Sequence, residues 1–363
     1  MRVSSRKLLI AAVLLGILAF VIYRARGLFH FGDFSGTKLL HALRDANPFL
    51  LAISVVAIYG CYALRSLRWK VFQQNLGPSH FWNIFAMTLA GFSAVFLLGR
   101  AGEPIRPLLL ARKEKLPVSG TFGIYVLERL FDAASAAVIA AIGLLLFQGH
   151  AHTGGETTSK LQAAAKTTGT LLCVGVLGAA VLLVYLRLHG TALLERRLQR
   201  VIATHGWKAK FAIIVLEFAR GVQTLRTWGQ LTLAVLYSTA HWFLVLMVYL
   251  WVSHSFGGKL ASITMSDAML VLAFTLVGSA VQVPGVGGGS QAGSIIAYTA
   301  IFGVEREPAV AAAIVLWLIS FAMCTLVGVP LLVREGWSLG ELRRMAKDEE
   351  AAELQDARGE IAE

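Results

Sequence analysis

The stretch LLGRAGEPIRP, Leu97 to Pro107, decides the fold. It closes a run of apolar residues with two arginines, a glutamate, two glycines and two prolines. Gly99, Gly102, Pro104 and Pro107 break helices. A helix broken at membrane depth frees backbone N–H and C=O groups, which must be buried in protein or line a wet cavity. Arg100, Glu103 and Arg106 then sit in a polar cleft rather than in lipid.

The membrane itself follows from composition. Of the 363 residues, 56% are hydrophobic and 15% charged, and mean hydropathy is +0.67. Soluble domains carry about a quarter charged residues. A span needs about 20 mostly apolar residues. Eight apolar segments qualify, and none shows the strand alternation of a barrel. The first is flanked by Arg2, Arg6 and Lys7 and by Arg24 and Arg26. No small-x-small cleavage site follows, so it reads as an uncleaved anchor helix.

Positive charge orders the segments. If all eight span and the N-terminus is cytoplasmic, 14 basic residues lie inside and 18 outside, against the positive-inside rule. If 81–107 dips in from the cytoplasm and 267–303 from outside, the count becomes 24 inside and 8 outside. The expected fold is therefore an all-α polytopic membrane protein occupying 1–333. It has about six full spans, near 8–23, 49–64, 120–147, 166–186, 229–252 and 308–333. Two opposed re-entrant helical hairpins, 81–107 and 267–303, complete it. The order span, hairpin, span occurs twice in opposite orientations, which is the inverted-repeat plan of many transporters. The loop 187–226, with 8 basic and 2 acidic residues, reads as amphipathic helix on the inner leaflet. The tail 334–363 is polar and cytoplasmic. A pI near 9.9 thus reflects anionic lipid rather than nucleic acid as partner.

Two charged constellations carry the candidate chemistry. Arg100, Glu103 and Arg106 fit either a phosphate site, since guanidinium matches phosphate geometry, or snorkelling arginines with a local salt bridge. YVLERLFDAASAAVIAAIGLLLF then places Glu128, Arg129 and Asp132 near the start of a long apolar helix, with Glu128 and Asp132 on one face. Charges inside spans usually face a partner or a water-filled path. Two such groups near one leaflet favour a shared substrate-binding site, with Arg100 and Arg106 near the acidic pair. The arginines would hold a headgroup phosphate, and the carboxylates would orient them or exchange protons.

The second break, SAVQVPGVGGGSQAGS, has almost no charge. Pro284, Gly285, Gly287, Gly288 and Gly289 make its turn, as Gly99, Gly102 and Pro104 make the first. Gln282, Ser290 and Gln291 would hydrogen-bond a polar headgroup or seal the outer half of the path; the plainer reading is a tightly packed turn. Gly287, Gly289 and Ala292 match G-x-G-x-x-A, but no βαβ unit surrounds them and no GK[ST] follows. His150 and His152 have no matching ligand set, so no metal and no cofactor is expected. No nucleophilic triad is visible. Cys61, Cys173 and Cys324 read as buried thiols, His241 and Trp242 as a packed or lipid-facing pair, and Trp69, Trp82, Trp207 and Trp337 as interfacial belt residues.

GRAGEPIRPLLLARKEKLPVSGTFGIYVLERLFD resembles the central signature of the lysylphosphatidylglycerol synthase transmembrane-domain family, also called flippase-like or UPF0104 membrane proteins. QVPGVGGGSQAGSIIAYTAIFGV resembles its second signature, with Gln291 where the family often has a glutamate. In two-part members this membrane domain moves aminoacylated phospholipid between leaflets, and a soluble C-terminal domain makes it. With 30 residues after the last span, the resemblance implies a stand-alone lipid translocase of the bacterial cytoplasmic membrane, not an enzyme. Its expected partners are anionic phospholipids and enzymes of lipid synthesis. Two rival readings are a membrane-embedded lipid-modifying transferase and a non-transporting scaffold of a lipid pathway.

Overall fold

A computed structural model describes residues 36–147, 227–283 and 287–335, together with 163, 166–175, 177, 178, 181 and 225. The expected first span, the basic loop 187–226 apart from Leu225, and the tail beyond Glu335 lie outside the described residues, as do Pro284 and Gly285.

The chain is all-α. Its helices begin where the sequence supplies caps. Helix α1 is Gly36–Asp45. Helix α2, Pro48–Gln73, starts with Asn47, whose side chain accepts from Phe49 N at 3.0 Å, and has Pro48 in its first turn. Helices α3 (Phe81–Leu98) and α4 (Ile105–Glu114) are joined by a 3₁₀ turn, Gly99–Gly102. Lys115, in the left-handed region, ends α4, and Pro117 precedes α5, Val118–Leu146. Helix α6, Trp228–Ser255, and helix α7, Met265–Gly278, each open with a threonine capping box, Thr227 with Gln230 and Thr264 with Asp267. Next come a two-residue antiparallel pairing, Gln282–Val283 (β1) with Gly287–Gly288 (β2), and α8, Gly289–Ile296. Helices α9 (Arg306–Trp317) and α10 (Met323–Arg334) are continuous through a π-helical turn, Leu318–Ala322. Among the described residues, five helical stretches are long and apolar enough to cross a membrane: α2, α3, α5, α6 and α9–α10.

Both broken segments fold back as hairpins. Helix α4 returns along α3, and a Cβ on Gly102 would strike the Ala94 carbonyl. Helix α8 returns along α7, with Gly278 and Gly289 so close that neither tolerates a side chain. The two tips meet: β1 packs on the Gly99–Gly102 turn.

Helix pairing gives the inverted repeat physical form. Helices α2 and α6 lie antiparallel, from Asn47 N donating to Ser255 O (2.7 Å) at one end to Asn75 donating to Gln230 (3.2 Å) at the other. Unit one is α2, the first hairpin and α5; unit two is α6, the second hairpin and α9–α10. Helix α3 packs on α10 of the other unit, and α7 packs on α5. That reciprocal exchange is what a two-fold relation between antiparallel units requires. The α3–α10 contact depends on Gly328, where a Cβ would strike Ser93 and the Leu89 carbonyl. Gly328→Ala is expected to lower stability by about 1–3 kcal/mol through overpacking, read as a fall in melting temperature in one detergent.

Sequence expectation and structure part in α2. The apolar segment 49–64 ends at Leu64, yet the helix runs on to Gln73 and carries Arg65 and Arg68 inside the bundle. These two and Arg106 are not loop charges. Removing them leaves 21 basic residues against 8, so the orientation argument keeps its sign.

Candidate functional site

The sequence LRSLRWK puts Arg65 and Arg68 three residues apart on α2. Glu128 and Asp132, four apart on α5, face them. Arg65 bonds Glu128 Oε1 at 3.0 Å and Asp132 Oδ2 at 2.8 Å. Arg68 bonds Glu128 Oε1 at 3.1 Å and Asp132 Oδ1 at 2.8 Å, and donates to Ser238 Oγ on α6 at 2.9 Å. Arg106 of α4 pairs with the other oxygen of Glu128. Its guanidinium lies 4.5 Å from the Trp69 ring centre and 5.2 Å from that of Phe92. Glu128 is only 1% exposed and Asp132 7%. At 1.5 Å per residue these carboxylates sit roughly 15 to 20 Å along α5 from its start.

Buried charges persist only when paired. Three arginines against two carboxylates leave one positive charge in excess. Glu103 and Arg129 extend the cluster without changing that sum. Tyr125 donates to Glu103, and the Arg129 guanidinium lies 5.1 Å from the Tyr125 ring centre. Arg129 Nε has no hydrogen-bond partner among the described residues.

A cavity of about 430 Å³ opens beside the cluster. Arg65, Arg129, Asp132, Glu103 and His241 line one part of it; Gly99 and Gly287 bring in the two hairpin tips. Arg106, Arg68 and Glu128 stand behind that wall and fix the cavity-facing groups. This volume suits a polar headgroup, and the surplus cation suits an anionic one.

Several sequence readings change here. Arg106, Glu128, Arg129 and Asp132 do come together; for Arg100 only the backbone, in the 3₁₀ turn, is described. The pair Glu103–Arg106 does not form among the described ion pairs: Arg106 is drawn to Glu128 and Glu103 to Tyr125. Gln291 accepts from Gly288 N, and Ser290 donates to Gln291 (3.3 Å), so both are used by the second turn. Gln282 is placed by its backbone in β1. Trp69 is not a belt residue: it is 1% exposed, beneath Arg106. Trp82 is 75% exposed. Cys61 and Cys324 are buried free thiols on the cavity wall. His150 and His152 lie outside the described residues. Among those described, no three His, Cys, Asp or Glu side chains are placed to hold a metal.

His241, read from sequence as packed or lipid-facing, accepts from Arg65 Nε at 3.3 Å through Nε2. That fixes the proton on Nδ1. His241→Leu strands the Arg65 Nε–H and is expected to cost about 1–3 kcal/mol. His241→Gln, which retains an acceptor, recovers part of it in the same thermal melt.

The profile described as the lysylphosphatidylglycerol synthase TM region matches residues 7–328. A UPF0104 membrane protein of Methanothermobacter thermautotrophicus is 25% identical over 328 residues, 83% of this chain and 89% of that protein. A protein named glycosyltransferase AglD, of Haloferax volcanii, is 25% identical over 190 residues, 50% of this chain and 26% of its own length. No solved structure matches. The broken hairpins, the charged helix that follows the first of them and the extent of the match all lead to one conclusion: this is a multi-pass membrane protein belonging to the lysylphosphatidylglycerol synthase transmembrane-region family.

Proposed function

We infer that this protein is a lipid translocase, moving a phosphate-bearing lipid between the leaflets of the cytoplasmic membrane. The observation that carries the reading is the surplus arginine charge on a cavity that runs from the cluster to the meeting point of two hairpin tips. A headgroup phosphate held by Arg129 and Arg65 sits in protein, while its acyl chains remain in the bilayer. The inverted repeat supports alternating access, with one unit rocking against the other around a central site. The excess of basic residues at the cluster's end supports a cytoplasmic opening, with both termini on that side. Anionic phospholipids are the partners this charge selects, and enzymes of lipid synthesis would supply them.

The test is reconstitution. Purified protein in liposomes containing headgroup-labelled phosphatidylglycerol is expected to bring inner-leaflet label within reach of an impermeant quencher. Label that stays protected at every protein density would remove the translocase reading.

The match to a glycosyltransferase-named protein favours a second reading, a role in lipid modification. The match covers 26% of that protein. Lipid product formed from a labelled sugar donor by purified protein would favour it over translocation.

A further inference from the structure

Part of the cavity wall carries no charge. Trp242, Trp317 and Ser320 stand in it, and Trp242 Nε1, Trp317 Nε1 and Ser320 Oγ have no hydrogen-bond partner among the described residues. Trp242 is 93% buried, being 7% exposed. Unpaired polar atoms in such a place are costly unless something meets them. Trp317 is held in position: its ring lies 5.5 Å from that of Phe96 on the first hairpin, and its indole N–H lies over Gly287 on the second. Gly287 has a positive φ of 87°, and a side chain there would strike both the indole nitrogen and the Gln291 amide.

The repeat gives this part of the wall its meaning. Arg129 and Asp132 stand 11 and 14 residues beyond the first residue of α5, Val118. Trp317 and Ser320 stand 11 and 14 residues beyond the first residue of α9, Arg306. Both pairs face the same cavity. Where unit one offers a cation and an anion, unit two offers an indole N–H and a hydroxyl.

We propose that Trp242, Trp317 and Ser320 form a second subsite, for a neutral hydroxyl-bearing group attached to the phosphate, a sugar or a short polyol. The proposal rests on the translocase site described above. Hydroxyl oxygens accept from the indoles and exchange hydrogen bonds with Ser320, and the aromatic rings pack on C–H faces. Rings alone would suit a quaternary ammonium, but unpaired donors need acceptors, which an ammonium lacks. The acidic cavity residues Glu103 and Asp132 stand with the arginines instead.

Binding of four short-chain lipids with identical acyl chains tests this on the full-length protein in detergent. Phosphatidylinositol and phosphatidylglycerol carry phosphate and polyol, phosphatidic acid carries phosphate alone, and phosphatidylcholine carries an ammonium. The polyol lipids are expected to bind about tenfold tighter than phosphatidic acid, as one to two hydrogen bonds would give. Trp317→Phe combined with Ser320→Ala should bring that ratio to near one while phosphatidic acid binds as before, which also shows that the variant is folded. A preference for inositol over glycerol assigns the subsite to a ring, and the reverse to a linear polyol; each supports the proposal. Equal binding of phosphatidic acid and the polyol lipids to the unaltered protein overturns it, as does tightest binding of phosphatidylcholine. Those results leave the phosphate site standing, whereas failure of all four lipids, phosphatidic acid included, sinks the translocase reading with it.

Discussion

Glu128→Gln is expected to destabilise the protein by about 3–5 kcal/mol, the usual cost of breaking a buried ionic network by removing one partner. One carboxylate here serves three guanidinium groups, from Arg65, Arg68 and Arg106. Glutamine has nearly the same shape and keeps an accepting oxygen, so the loss isolates charge. Without Glu128 the arginines share Asp132 alone, and the local surplus rises from one positive charge to two. Like charges in a poorly solvated space then repel. The fall is measured as a lowered melting temperature in one detergent. A compensating variant sharpens the test. Arg106 already has two nitrogens without partners among the described residues, so Glu128→Gln with Arg106→Met restores the charge balance at little further loss. Recovery of most of the lost stability is expected. If Glu128→Gln alone changes stability by less than about 1 kcal/mol, as at a solvated pair, the cluster is not the buried network described here.

Much of this was legible in the sequence, for a local reason. Glycine and proline change what one stretch of backbone can do, so the breaks at Gly99–Pro104 and around Gly287–Gly289 show without knowledge of neighbours. Caps are equally local: Asn47, Thr227 and Thr264 act within three residues of themselves. Glu128 and Asp132 announced themselves as charges four apart inside an apolar helix. Arg65 and Arg68 did not, because hydropathy assigns the first arginine after an apolar run to a loop. It measures the cost of meeting lipid, not the presence of a partner, and their partners lie about 60 residues away on another helix. The three-residue spacing of Arg65 and Arg68 was the available signal. His241 had no comparable signal in its own segment, since its role depends on where α2 and α6 cross. Ser290 and Gln291 show the opposite case: polar residues beside a glycine turn, taken up by the turn itself.

The two units share a plan and divide the chemistry. The charged side chains of the cluster lie in unit one, while unit two supplies His241 and Ser238 as neutral partners to its arginines. Inversion brings the helices together in matched pairs, but nothing in that pairing requires matched side chains. A cavity wall with a charged part and an uncharged part follows.

Within the cluster, Arg129 is the residue whose loss should separate function from folding. It lines the cavity, no carboxylate among the described residues pairs with it, and its guanidinium rests on the Tyr125 ring. Arg129→Ala therefore leaves no orphaned anion behind, and stability should change by no more than about 1 kcal/mol. A phosphate oxygen that it holds loses a charge-assisted hydrogen bond, worth about 1.5–3 kcal/mol, so affinity for a phosphate-bearing lipid should fall roughly 10- to 100-fold. Translocation in liposomes should fall with it. Arg129→Lys should lie between, because lysine keeps the charge and lacks the planar fork. Arg106→Ala provides the contrast: that side chain stands behind the cavity wall against Glu128 and Trp69, and its loss should appear first in the melting temperature. Should Arg129→Ala bind and move lipid like the parent while melting at the same temperature, the phosphate has no seat in this part of the cavity, and the charged cluster serves only to hold α2, α4 and α5 together.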